Sequence, residues 1–173
     1  MPEDGSKLSD VAVLADEAAQ VDVVVPLAGL ARLAPLLVST TGTARGRLGF
    51  ERDRGHVVAD VAVDGELEVC CQRCLAKFML PVRSRSRVAL VRDEADVESV
   101  PGDLESALAP EGRIHLRDLV EEELLLALPG APRHTVGECA TAVTSQDATV
   151  AEDSVQRPFA GLAALLGDGV SKK

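Results

Sequence analysis

Apolar residues in this chain follow two rhythms. Between Val21 and Val91 they tend to recur at every second position, and from Leu116 to Leu128 at every third or fourth. The first rhythm belongs to half-buried strands and the second to an amphipathic helix. Val21-Asp22-Val23-Val24-Val25 is a β-branched run stopped by Pro26, and predicts a first strand. Leu27 to Leu37 reads as a short helix or a loop, because Pro35 excludes a long helix. From Thr41 the period is two, with Arg45 and Arg47 on one face and Leu48 and Phe50 on the other. Asp53-Arg54-Gly55 predicts a turn, followed by a strand with Val57, Ala59, Val61 and Val63 along one side. Asp64-Gly65 predicts a two-residue hairpin, with Glu66 to Cys71 as its return strand. A further strand presents Arg83, Arg85 and Arg87 on one face and runs to Val91.

Asp93 to Gly112 is acidic, carries Pro101, Gly102 and Pro110, and reads as a loop. The convincing helix spans Leu116 to Leu128. Leu116, Leu119, Val120, Leu124, Ala127 and Leu128 form its apolar stripe, Glu121, Glu122 and Glu123 mostly face water, and Pro129-Gly130 ends it. The expected fold class is α+β: an antiparallel sheet curled toward a barrel, one main packed helix and a short C-terminal helix. The expected organisation is a flexible arm with a helical turn at 1–20, a principal domain at 21–139, a disordered linker at 140–156 and a C-terminal motif and tail at 157–173. Pro158 suits the first turn of that last helix.

Composition narrows the function. There is no Trp or Tyr and there are only three Phe, so the aromatic stacking used by common single-strand RNA modules is nearly excluded. A net charge of -10 argues against non-specific coating of nucleic acid. The charge is segregated: 44–92 holds ten Lys/Arg against six Asp/Glu, and 93–156 holds three against fifteen. The polar start at Met1–Leu8 does not fit a secretory signal. No apolar run approaches the ~20 residues that span a bilayer. A cytoplasmic, non-membrane protein is expected, and in a reducing compartment clustered cysteines read as metal ligands or redox groups.

Three of the four cysteines lie in Val69-Cys70-Cys71-Gln72-Arg73-Cys74-Leu75. The C-x-x-C spacing lets Cys71 and Cys74 converge on one ion. With His134 and Cys139 they make three thiolates and one imidazole, a closed tetrahedral set suited to one structural zinc ion. The alternative is two unrelated features, with the cysteines buried as small apolar residues. A redox C-x-x-C needs its first thiol at a helix N-terminus, whereas this one follows a strand. Cys70 falls on the polar face, outside the ligand set. Arg45, Arg47, Arg83, Arg85 and Arg87 could form a phosphate-binding sheet face, or a solvated face paired with Glu66 and Glu68. The three histidines offer no nucleophile–base pattern, and there is no phosphate loop and no Gly-x-Ser-x-Gly. No enzyme is expected.

The segment Gly65 to Leu75, with its Cys71-Gln72-Arg73-Cys74 step, resembles the signature of the YceD family, the large ribosomal RNA subunit accumulation proteins of bacteria and plastids. The resemblance continues at Ile114-His115-Leu116 and from Leu119 to Pro129. It resumes at Pro132, His134 and Cys139, and again at Arg157-Pro158-Phe159-Ala160 with Leu162 and Leu165. It covers most of the chain from Val57 onward. Two positions depart from the family pattern. His115 stands where an Asp usually caps the helix, and an imidazole is a poorer cap. After Pro132 this chain has only His134 and Cys139, where some relatives carry several cysteines. The resemblance implies a non-enzymatic role in the synthesis, processing or stability of large-subunit ribosomal RNA. The competing class is a C-x-x-C redox or zinc-responsive regulator, and a third is an acidic protein-interaction adaptor. Contact with large-subunit RNA or its precursor particle is expected through a basic ribosomal protein on the acidic stretch Asp93–Glu123. Direct contact through Arg83, Arg85 and Arg87 is the less favoured route.

Overall fold

A computed structural model of the chain describes residues 3–135 and 137–139; the expected linker at 140–156 and the C-terminal helix at 157–173 lie outside them. The elements are β1 (Leu8–Asp10), α1 (Val11–Asp16), β2 (Gln20–Pro26), β3 (Thr43–Asp53), β4 (His56–Cys70), β5 (Lys77–Val91), β6 (Glu105–Leu108), β7 (Arg113–His115) and α2 (Leu116–Ala127). Strands β2 to β5 form an antiparallel meander in chain order, and β6 joins the edge of β5 in parallel. Strands β1 and β7 make a separate two-stranded pair. The fold is α+β, with a curled sheet and few helices, as the periodicities predict.

The inner face of the sheet collects the apolar half of each strand. Val23, Leu48, Phe50, Val61 and Leu67 are all essentially inaccessible and pack in one core with Leu116, Val120 and Leu124 of α2. Burying one such side chain stabilises by about 1.5–3 kcal/mol, so this layer dominates the energetics. The helix comes close because β3 carries Gly46 beneath it. A Cβ there would lie 2.5 Å from Cγ2 of Val120 and 2.8 Å from Cγ2 of Val23. The segment after β2 folds into two 3-10 turns, Leu27–Gly29 and Ala34–Leu36, and buries Leu27, Leu30 and Leu33.

Four readings need correction. Asp64-Gly65 is no hairpin. β4 runs straight through it, with Asp64 opposite both Arg45 and Arg83 and Gly65 opposite both Ala44 and Val82. A backbone paired on both sides has no freedom to turn, whatever its local propensity. The acidic stretch 93–112 is not a bare loop; it contains a 3-10 helix, Glu94–Ser99, and β6. Residues 8–16, read as part of a loose arm, form β1 and α1. Asp10 caps α1 by accepting from the N–H groups of Ala12 and Val13, and Val11 and Ala15 enter the core. Glu121 and Glu123 do not face water, being only 6% and 5% exposed; Glu122 is exposed as expected. Both buried carboxylates have donors. Oε1 of Glu121 accepts from the backbone N–H groups of Arg32 (2.7 Å) and Leu33 (3.1 Å), and Glu123 accepts the hydroxyl of Ser86. His115 makes no cap bond to α2; its Nδ1 donates to the Ser6 carbonyl at 2.7 Å. Among the described residues, no helix is long and apolar enough to cross a membrane.

Candidate metal centre

Cys71 and Cys74 lie in the turn that joins β4 to β5. The last strand pairs are Val69 with Phe78 and Cys70 with Lys77. Beyond them the N–H of Cys71 donates to the Ala76 carbonyl and the N–H of Leu75 to the Cys71 carbonyl, both at 2.9 Å. Leu75 takes a left-handed conformation, φ 61°, to close the turn. The second half of the set arrives from the segment after α2. The N–H of Gln72 donates to the Pro132 carbonyl at 2.8 Å, which lays 132–135 against the turn. The ring of Phe78 packs on that of His134, centroids 4.5 Å apart, and sets the imidazole.

Sequence spacing linked four donors across about sixty residues, and the fold brings all four together. The Sγ of Cys71 lies 3.6 Å from that of Cys139. Nδ1 of His134 lies 3.4 Å from Sγ of Cys74 and 3.6 Å from Sγ of Cys139, and all four ligand atoms are within 4.8 Å of one another. Tetrahedral zinc bonds of about 2.3 Å to sulfur and about 2.1 Å to nitrogen imply edges of about 3.8 Å between sulfurs and about 3.6 Å from sulfur to nitrogen. Three of the separations are close to those edges. The cluster can therefore hold a metal ion, and a closed set of four leaves no position for a substrate. All four cysteines are free thiols, and Cys70 stands aside, with its Sγ 3.3 Å from the Leu75 carbonyl.

The electrostatics act in opposite directions on Cys71 and Cys139. Burial raises the Cys71 thiol, but the backbone N–H groups of Cys74, His134 and Arg73 pull it down, and the net value is about 5. Burial pushes the Cys139 thiol up, against the pull of the Arg73 guanidinium, whose Nε lies 2.9 Å from its sulfur. Arg73 and Phe78 were not singled out from the sequence as parts of the site. Arg73 was visible in principle, since it sits inside the Cys-Gln-Arg-Cys step.

The five arginines do share the outer face of the sheet, but carboxylates accompany most of them. Arg85 holds Asp60 with two bonds, 2.8 and 2.6 Å. Arg87 holds Glu51 at 2.6 Å and Asp53 at 3.2 Å, and Arg47 holds Asp22 at 3.1 Å. The partners come from β2, β3 and β4 and are not Glu66 or Glu68. Arg45 and Arg83 flank Asp64 and form no ion pair among the described residues. This face is close to charge balance.

Fold and site together describe an α+β scaffold: a curled sheet, the packed helices α1 and α2, and a Cys/His cluster at the sheet tip. The particular family follows from comparison with known proteins. Residues 59–166 match the family model described as "Large ribosomal RNA subunit accumulation protein YceD". The chain is 31% identical over 143 residues, 79% of its length and 81% of the relative's, to the Haemophilus influenzae protein of that name. The chain belongs to the YceD family. No solved structure matches it.

Proposed function

We propose that this protein is a non-enzymatic, cytoplasmic factor for the accumulation of large-subunit ribosomal RNA, acting in its synthesis, processing or stability. The observation that carries this reading is family membership over most of the chain, with a relative whose name states the role. Zinc is the proposed occupant of the Cys71, Cys74, His134 and Cys139 set. It would tie the β4–β5 turn to the segment after α2, supplying rigidity and no reaction chemistry. Cys71 begins no helix, so the helix dipole that activates a redox C-x-x-C is missing from its surroundings.

Contact with the large-subunit particle is proposed to run through a basic ribosomal protein. Arg85 and Arg87 are already engaged by carboxylates, and phosphate would have to displace those partners. The test is depletion of the protein in cells, with the two subunit RNAs measured separately. A fall in large-subunit RNA relative to small is expected, and an unchanged ratio overturns the reading. Reversal of Arg83, Arg85 and Arg87 to Glu should leave particle association intact, and neutralisation of Asp93, Glu94, Asp96 and Glu98 should weaken it. The opposite pattern makes the contact direct.

A further inference from the structure

We infer that the cleft between β6 and α2 is the docking site for an extended segment of a partner protein that alternates basic and apolar residues. This rests on the proposed protein-mediated route and adds to it a second contact, apart from the Asp93–Glu98 carboxylates. The cleft has a volume of about 450 Å³ and is lined on the apolar side by Val88, Ala107, Ile114 and Leu119. Leu108 and Leu126 belong to the same lining and are 45% and 63% exposed, which is unusual for leucines bordering a core. Four carboxylates line it too, those of Glu105, Asp118, Glu122 and Glu123. The single cation among the lining residues is Arg32, and its guanidinium is engaged by Glu121 and Glu122.

Two further features point to a ligand. Glu123 lines the cleft with a largely buried side chain; Ser86 donates to one of its oxygens, and the other, which takes no hydrogen bond from a described residue, keeps contact with solvent and is open to a cationic donor. Strand β6 is the last of its sheet, and four consecutive residues of it, Glu105 to Leu108, line the cleft. Its outer backbone edge pairs with no other described strand, which is a template for an added strand.

An extended segment meets these needs together. Its backbone completes the edge of β6; successive side chains of a strand point to opposite sides, so its apolar ones cover Leu108 on one face while its basic ones reach Glu105 and the α2 carboxylates on the other, their aliphatic stems lying along Leu126. The carboxylates repel RNA phosphate and anionic lipid, so neither is the fitting occupant.

The test titrates the full chain into a fluorescent ten-residue peptide of alternating lysine and valine, with a serine–valine peptide as control. Only the basic peptide should bind, and it should slow amide exchange along β6. Leu126→Lys, and separately Glu105→Gln with Asp118→Asn, should weaken binding about tenfold. Glu17→Gln with Glu66→Gln, both exposed and outside the lining, should change it less than twofold. Thermal melts confirm that each variant is folded. Equal weakening by the outlying variant, or no protection of β6, would mean diffuse charge attraction and overturn the proposal. Binding seen only after removal of 157–173 would make the chain's own terminus the occupant, and displacement of the peptide by a polyuridine oligonucleotide would make it RNA. Either result also overturns it. Failure here would leave the RNA ratio in depleted cells unaffected, so the two readings fail separately.

Discussion

The β4–β5 hairpin is held differently at its root and at its tip. From Val57 to Gly65, β4 has a strand on each side. From Glu66 to Cys70 it has only β5, apart from a bridge between Glu68 and Ser39. The root is secured by apolar area: Val61 and Val63 lie in the core cluster that includes Leu119, Val120 and Leu124. The tip still buries Leu67 and Val69, but beyond them the chain turns through a cluster of four donor side chains. Apolar burial is spread over many contacts and indifferent to ions. A donor cluster concentrates its effect in one place and depends on what fills it. The same hairpin should therefore fail in two distinct ways.

The largest effect should come from the root. Leu124 is fully buried, and Leu124→Ala is expected to cost about 2–5 kcal/mol in a denaturant melt, with or without a chelator. A loss under about 0.5 kcal/mol would show that α2 does not hold the root. Leu128, from the same predicted stripe, is only half-buried and should cost less.

The tip should respond to metal instead. Purified protein should contain about one zinc per chain, and a free zinc level a thousandfold above Kd should stabilise by about 4 kcal/mol. Metal analysis and paired melts with and without chelator measure this, and Cys139→Ser should abolish the difference. Zinc-free protein with an unchanged melt would sink the assignment and erase the contrast between root and tip.

A smaller effect tests the link between α2 and the segment before β3. Glu121→Ala strands the N–H groups of Arg32 and Leu33 and should cost about 1–3 kcal/mol. Glu121→Gln retains an oxygen acceptor and should cost less. Equal losses would mean that charge, not backbone satisfaction, is what Glu121 supplies.

The smallest effect lies on the outer face. The Arg85 hydrogen bonds hold the Asp60 carboxyl below its ordinary value of 3.8. A lowered folded value adds stability that is complete above the ordinary value and disappears as pH falls through the lowered one. Asp60→Asn should therefore cost under about 1 kcal/mol at neutral pH and nothing once both states are protonated. A pH-independent cost would assign the loss to packing and not to the ion pair.

Much of the sheet was legible as period-two patterning, and α2 as a 3.6-residue stripe. One mistake was avoidable. Val57, Ala59, Val61 and Val63 share their parity with Leu67 and Val69. A two-residue turn at Asp64-Gly65 would pair Val63 with Glu66 and send Leu67 and Val69 to the opposite face. The unbroken parity favoured one continuous strand over a local turn signal. Strand β6 left no comparable trace, because Glu105-Ser106-Ala107-Leu108 is a strand by virtue of the β5 edge beside it.

By itself the sequence determined what depends on near neighbours along the chain: strand and helix periods, the proline stops, and a C-x-x-C turn that aims two thiolates one way. Tertiary structure alone decided what depends on segments far apart. It brought His134 and Cys139 to Cys71 and Cys74, paired Arg85 with Asp60 through strand register, and buried Glu121 against Arg32 and Leu33. The physical reason is range. Local sterics and amphipathicity act within a few residues and can be read from order alone. The worth of a charge or a ligand depends on what the fold places within a few ångströms of it.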